Sequence, residues 1–185
     1  MSVTVPLFAL LACAGGLPPE LTTVRAAGYD VPPTDAWRIV GTLAGSDAAA
    51  VTAWRTDLSA LAPGEPLRGH ATWLETDADG GVARWETVEV FEGRKLVRCV
   101  VPVRENETPA VGGCVTWEVA PRGEGSTVVL TENARFHEDL YRWTHRPADR
   151  VAALDRTLDA LGTALGAPAL VHADGLREVR TALER

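Results

Sequence analysis

The sequence predicts an α+β domain in which a curved antiparallel sheet of about six strands wraps around one long C-terminal helix. Three observations point there. Strand-like segments recur between residues 68 and 136, each set off by a cluster of turn-forming residues. A long helical periodicity follows only afterwards, from Pro147 to Gly166. The 185 residues are 46% hydrophobic and 23% charged, a globular balance on a chain long enough to bury a sizeable core.

Residues 1–16 stand apart from that domain. Val3 to Leu17 are nearly all apolar or small. This run of about 15 residues suits the apolar core of a signal peptide and falls short of the roughly 20 that a spanning helix needs. No Lys or Arg precedes it, so the usual basic start is missing apart from the α-amino group. Leu10-Leu11-Ala12-Cys13 resembles a bacterial lipoprotein signal, in which Cys13 would be lipidated after cleavage, with Ala14-Gly15-Gly16 as a tether. Export to the cell envelope, with a membrane tether through the N-terminus, is therefore expected. The alternative is a cytoplasmic chain whose first residues form an ordinary buried element. Residues 17–35, with Pro18, Pro19, Gly28, Asp30, Pro32 and Pro33, read as a linker holding at most a helical turn at 20–27.

The domain is expected over residues 36–166. Ala36–Leu43 alternates Trp37, Ile39 and Leu43 with Arg38 and Thr42, which predicts a half-buried strand. Gly45-Ser46-Asp47 can cap a following alanine-rich helix that contains Val51 and Trp54 and breaks near Pro63-Gly64. Strands are then expected at 68–76, 82–91, 95–104, 113–120 and 127–136, separated by Asp77–Gly81, Glu92-Gly93, Asn106–Pro109 and Arg122–Gly125. Val, Thr and Trp are prominent in them, as suits a pleated surface. In the last long segment Val151, Leu154, Leu158, Leu161 and Leu165 fall on one helical face, and Gly166 and Pro168 stop the helix. This stripe is the only one large enough to cover the sheet. Residues 167–185 read as a C-terminal helical extension, with an amphipathic stretch at Leu176–Leu183.

Several function classes are excluded by composition. The net charge is −7, and Lys95 is the only lysine among 18 basic residues. Phosphate affinity comes mainly from clustered Lys and Arg, so no nucleic acid partner is expected. None of the four histidines forms a pair at helical metal spacing, and there is no CxxC pair, so neither a metal nor a cofactor is expected. His137-Glu138-Asp139 reads as a solvated loop. Gly80-Gly81 and Gly123–Gly125 read as hairpin turns rather than phosphate loops. No Gly-x-Ser-x-Gly nucleophile elbow is present.

An ordered set of strings carries a family resemblance. Trp73-Leu74-Glu75 is followed by Gly80-Gly81, Glu86-Thr87-Val88-Glu89, the run Arg94–Arg98, the strand Gly112–Glu118 and the turn Gly123–Thr127. Over residues 36–166 the chain resembles the SRPBCC superfamily, START-like and polyketide cyclase-like proteins of the helix-grip fold, and in particular bacterial members with a hydrophobic N-terminal segment. The resemblance implies a cavity between sheet and long helix. The chain departs from the family in the short helical stretch after the first strand and in lacking an obvious second strand.

The six tryptophans supply the candidate lining of such a cavity. Trp73, Trp85 and Trp117 fall on three expected strands, and ligand pockets are mostly apolar with a few placed polar groups. Glu75 shares an expected face with Trp73, Glu89 shares one with Trp85, and Arg98 lies on the next strand. These six residues are the candidate ligand site; core packing and solvated ion pairs are the bland alternatives. Cys99 and Cys114 would lie opposite each other if the hairpin centres on Asn106-Glu107. Their face-sharing neighbours differ in polarity, which favours two buried free thiols over a disulfide.

The expected function is binding of a small hydrophobic molecule, a lipid or an aromatic metabolite, by a monomer or weak dimer. One alternative is a cyclase- or dehydratase-like enzyme with Glu75 as general base. Another is an interaction domain with a filled core. The tether makes a direct prediction. Full-length protein from a bacterial host is expected to partition into detergent, and Cys13→Ser into the aqueous phase; equal aqueous partitioning of both would remove the anchor.

Overall fold

The computed structural model describes residues 20–42, 51–52, 66–76, 82–102, 111–136, 147–170 and 172–173. In chain order these form β1 (Glu20–Tyr29), α1 (Pro33–Val40), β2 (Val51–Thr52), β3 (Thr72–Thr76), β4 (Val82–Phe91), β5 (Lys95–Val101), β6 (Val111–Arg122), β7 (Gly125–Phe136), α2 (Pro147–Leu165) and β8 (His172–Ala173). The strands make one sheet in the order β2-β3-β4-β5-β6-β7-β1-β8, and every pairing in it is antiparallel. Six long strands carry the sheet, the two-residue strands β2 and β8 cap its edges, and α2 packs on one face. The expected fold class is observed.

The meander follows the sequence closely. β4 has the expected bounds, and β5 starts at Lys95 as expected. Gly93 and Gly123 adopt the positive φ angles their tight turns require. β3 starts four residues later than expected, at Thr72, because His70 takes φ 65 and breaks the extended run.

The N-terminal part differs from expectation. The linker-like stretch contains β1, whose ten residues pair with β7 from Glu20↔Arg135 to Tyr29↔Ser126. Prolines, Gly28 and small residues hide this strand locally, and the ladder to β7 supplies the order that propensity does not. The strand expected at 36–43 is helix α1 over most of its length. Pro33 in its first turn and Asp35 beside the N-terminus are helix-start signals, and Ala36 and Val40, one turn apart, are the buried pair. Trp37 is therefore helical. Val51 and Thr52, expected in a helix, pair with Glu75 and Leu74 as β2. The rest of that expected helix, Trp54, Trp143, His137, Leu176–Leu183 and the Cys13 segment lie outside the described residues.

The register sorts the sheet into two faces. The face toward α2 carries Arg25, Ala27 and Tyr29 on β1, Val128, Leu130 and Glu132 on β7, and Val115, Trp117 and Val119 on β6. Leu96 and Arg98 on β5, Thr87 and Trp85 on β4 and Trp73 on β3 continue it. Tyr29, Trp73, Leu96, Val128, Leu130 and Leu158 are all but inaccessible and anchor the core. Of the predicted stripe, Leu154, Leu158 and Leu161 are buried and Leu165 packs against the core.

Three polar contacts pin α2 to the sheet. Arg25 forks onto Asp155 at 2.7 and 3.2 Å. Arg150 forks onto the buried Glu132, with its Nε at 2.8 Å. The Tyr29 hydroxyl donates to the Leu158 carbonyl at 2.8 Å. Burial first, and Asp159 second, push the Tyr29 phenol far up, so it remains a neutral donor. At the other end Gly166 has φ 65, its N–H reaches the Thr163 carbonyl and that of Ala167 the Gly162 carbonyl. This is a Schellman stop.

Cys99 and Cys114 are a disulfide, contrary to the face argument above. They are direct register partners, as are Val97 with Thr116 and Lys95 with Glu118. These pairs share the face away from α2, where apolar and polar residues mix, so polarity is no guide to face on β5. Gly113 beside Cys114 has φ 118, and a Cβ there would collide with the Asn133 carbonyl. Gly113→Ala is expected to destabilise the chain by about 2 kcal/mol or more; urea denaturation checks this, and an unchanged midpoint would contradict the register of β6 on β7.

Candidate ligand site

Antiparallel register brings five of the six candidate residues onto the α2-side face. Trp73 is directly opposite Trp85, and Thr87 is directly opposite Arg98. Glu75 follows Trp73 by two residues and so keeps its face. The Arg98 guanidinium lies 4.7 Å from the Trp85 ring, and its Nη1 is 3.6 Å from Glu75 Oε2. Burial lowers the Arg98 pKa, with Glu75 opposing the shift. The side chain is only 14% exposed, so its charge is held largely by Glu75 and the indole face.

Trp117 faces the same way but sits in a different row. It is 6% exposed between Leu96 and Leu130 and is part of the packed core. Glu89 is on the opposite face. A β-bulge between Thr87 and Glu89 inserts Val88, which is 45% exposed, and reverses the alternation that would have placed Glu89 beside Trp85. Glu89 pairs instead with Lys95 at 2.7 Å, half-exposed, a contact of small energetic value.

The polar atoms of this cluster are unusual. Trp73 and Thr87 are each 0% exposed, yet among the described residues Trp73 Nε1 and Thr87 Oγ1 have no hydrogen-bond partner, and neither does Glu75 Oε2. A buried unpaired donor or acceptor costs about 1–3 kcal/mol, so such atoms mark where water or a ligand group belongs. Thr87 was missed in the sequence because its burial follows from the register and not from its residue type.

One row runs from this cluster across the sheet to the strand ends. Trp85 faces Val100, Val100 faces Gly113, Gly113 faces Ala134, and Ala134 faces Leu21. A depression of about 400 Å³ lies at the strand ends, lined by Leu21, Val100, Gly113 and Ala134 of this row and by Thr22, Cys99, Cys114 and Asn133 of the opposite face. None of the six sequence candidates lines it; Trp85 reaches its wall through Val100. The double glycine Gly112-Gly113 inside a strand is the sequence signal for such an opening. Leu21 was hidden in the apparent linker.

No protein-family model and no curated protein matches the chain. The solved structures do. A protein from Mesorhizobium loti superposes with a TM-score of 0.57 at 16% identity, over 79% of this chain and 97% of that one. Major latex-like protein 151 of Panax ginseng gives 0.56 at 13% identity, again over 79% and 97%. The fold is helix-grip. Ara h 8.0201 has it too, with a TM-score of 0.54 at 8% identity. At these identities the likeness shows the fold alone.

The unpaired hydroxyl gives a simple test. Replacing a hydrogen-bonded buried threonine by valine ordinarily destabilises by about 1 kcal/mol or more. Thr87→Val in the ligand-free protein is expected to be neutral or stabilising in urea denaturation. A loss of more than about 1 kcal/mol would mean that the hydroxyl is satisfied within the protein.

Proposed function

We propose that the chain binds a small, largely apolar molecule to one side of α2, seated in the depression by Gly113 and Ala134 and reaching toward Trp85. The observation that carries this reading is the pairing of a hollow with unpaired buried polar atoms. The depression of about 400 Å³ opens at Val100, one register step from Trp85, and on the Trp85 side of it Trp73 Nε1 and Thr87 Oγ1 are buried without hydrogen-bond partners among the described residues, beside the Glu75–Arg98 ion pair. That combination of apolar wall and few convergent polar groups is what small-molecule sites look like. The ligand it suits has a flat or extended apolar body and one polar end able both to accept a hydrogen bond from the indole N–H and to donate one to the carboxylate. Arg98 holds Glu75 and Trp85 in place. The helix-grip neighbours support the reading through their shared architecture. The apolar N-terminal segment and the Cys99–Cys114 bridge support an exported protein, since disulfides persist in oxidising compartments.

Intrinsic tryptophan fluorescence, titrated with a panel of fatty acids and planar aromatic metabolites, tests the proposal. At least one ligand is expected to quench saturably, and Ala134→Leu, which fills the hollow with an apolar side chain, to weaken that ligand tenfold or more with the fold intact. Absence of any saturable response, or equal binding by Ala134→Leu, would overturn it.

A further inference from the structure

We infer that Cys99–Cys114 is a thiol–disulfide exchange site served by the depression at the strand ends, and that a low-molecular-weight thiol is its reactant. Both cysteines are half-buried and both line the depression. Gly112 and Gly113, beside Cys114, carry no side chains to screen the sulfurs. The register row of the bridge runs from Cys99 and Cys114 to Asn133 and Thr22. The Thr22 hydroxyl is bonded to Asn133 Oδ1 at 2.8 Å, and Arg135 lies at the rim, ion-paired with Glu20 at 2.8 Å in the open. The depression therefore offers an apolar wall in Leu21, Val100 and Pro102, and a polar side at Asn133 and the Arg135–Glu20 ion pair. Exchange needs an attacking thiolate to reach a bridge sulfur, and access of this kind separates labile disulfides from inert ones.

The bridge is also dispensable to the strand pairing around it. The β5–β6 ladder is continuous from Lys95↔Glu118 through Val100↔Gly113, on both sides of the cysteine pair. Breaking the bridge leaves those backbone partners in place. In the first step the thiolate of the small thiol attacks one bridge sulfur. A mixed disulfide forms, and the other cysteine leaves as a thiolate and takes up a proton. A second molecule of the small thiol, as its thiolate, then attacks the sulfur of the bound one. This releases the oxidised small-molecule disulfide and leaves both cysteines as thiols, the protein reduced by two electrons.

The test uses the full chain with Cys13→Ser, so that only the bridged pair can react. Under native conditions with reduced glutathione as probe, followed by alkylation and intact mass, the bridge is expected to open faster than the protein unfolds, with the circular dichroism of the sheet retained. In this background Asn133→Trp, which sets a bulky side chain beside Cys114, is expected to slow opening at least tenfold. Opening at the rate of global unfolding, or an unchanged rate in Asn133→Trp, would show a buried structural staple instead. The readout is the thiol mass and not tryptophan fluorescence, so failure here is distinguishable from failure of the proposed apolar ligand, which uses the same depression.

Discussion

The position of α2 decides what the inner face of the sheet can do, and α2 is pinned largely through β1. Arg25 and Tyr29 alternate on β1 and meet Asp155 and the Leu158 carbonyl, one turn apart on the helix. Glu132 on the neighbouring strand takes Arg150 one turn earlier. These contacts bracket Leu154, so the apolar stripe and the polar clamps set the same rotation of the helix. The partly buried charges are each hydrogen-bonded to an opposite charge, the condition under which burying them is tolerable.

That placement has a functional consequence. α2 packs mainly on β1, β7 and α1, which puts the Trp73–Trp85–Arg98 cluster to one side of the helix. On this part of the sheet the sequence combines large indoles with a glycine–alanine pair in the adjoining row. Buried polar atoms beside a gap are costly unless something occupies it, and the proposed ligand would relieve both deficits together.

The legible and illegible parts of the chain divide by the range of the interactions that determine them. β4, β6, β7 and α2 could be read from the sequence because hairpin glycines, alternation and a stripe from Val151 to Leu165 are local signals. β1 could not, since its partner β7 lies about a hundred residues away and its own residues include Ala26, Ala27 and Gly28. The Ala36–Leu43 segment carried a pattern that suits a short strand or a short helix, and Pro33 with Asp35 decided for helix. Among the site residues, Trp73, Glu75, Trp85 and Arg98 were reachable by strand parity. Glu89 was not, because one bulge reverses parity, and Thr87 emerged only from burial. Cys99 and Cys114 needed the register itself, which residue polarity does not determine.

Electron density beside Trp73 and Thr87 tests the proposed site most directly. A high-resolution crystal structure of the full chain, purified without added ligand and then soaked with the tightest apolar binder, would place non-protein atoms over Gly113 and Ala134. The account predicts one polar ligand atom, or an ordered water bridging to it, within hydrogen-bond distance of Thr87 Oγ1 or Trp73 Nε1. A structure in which both atoms are bonded to the protein's own groups, and the space over Gly113 is filled by its own side chains, would contradict it.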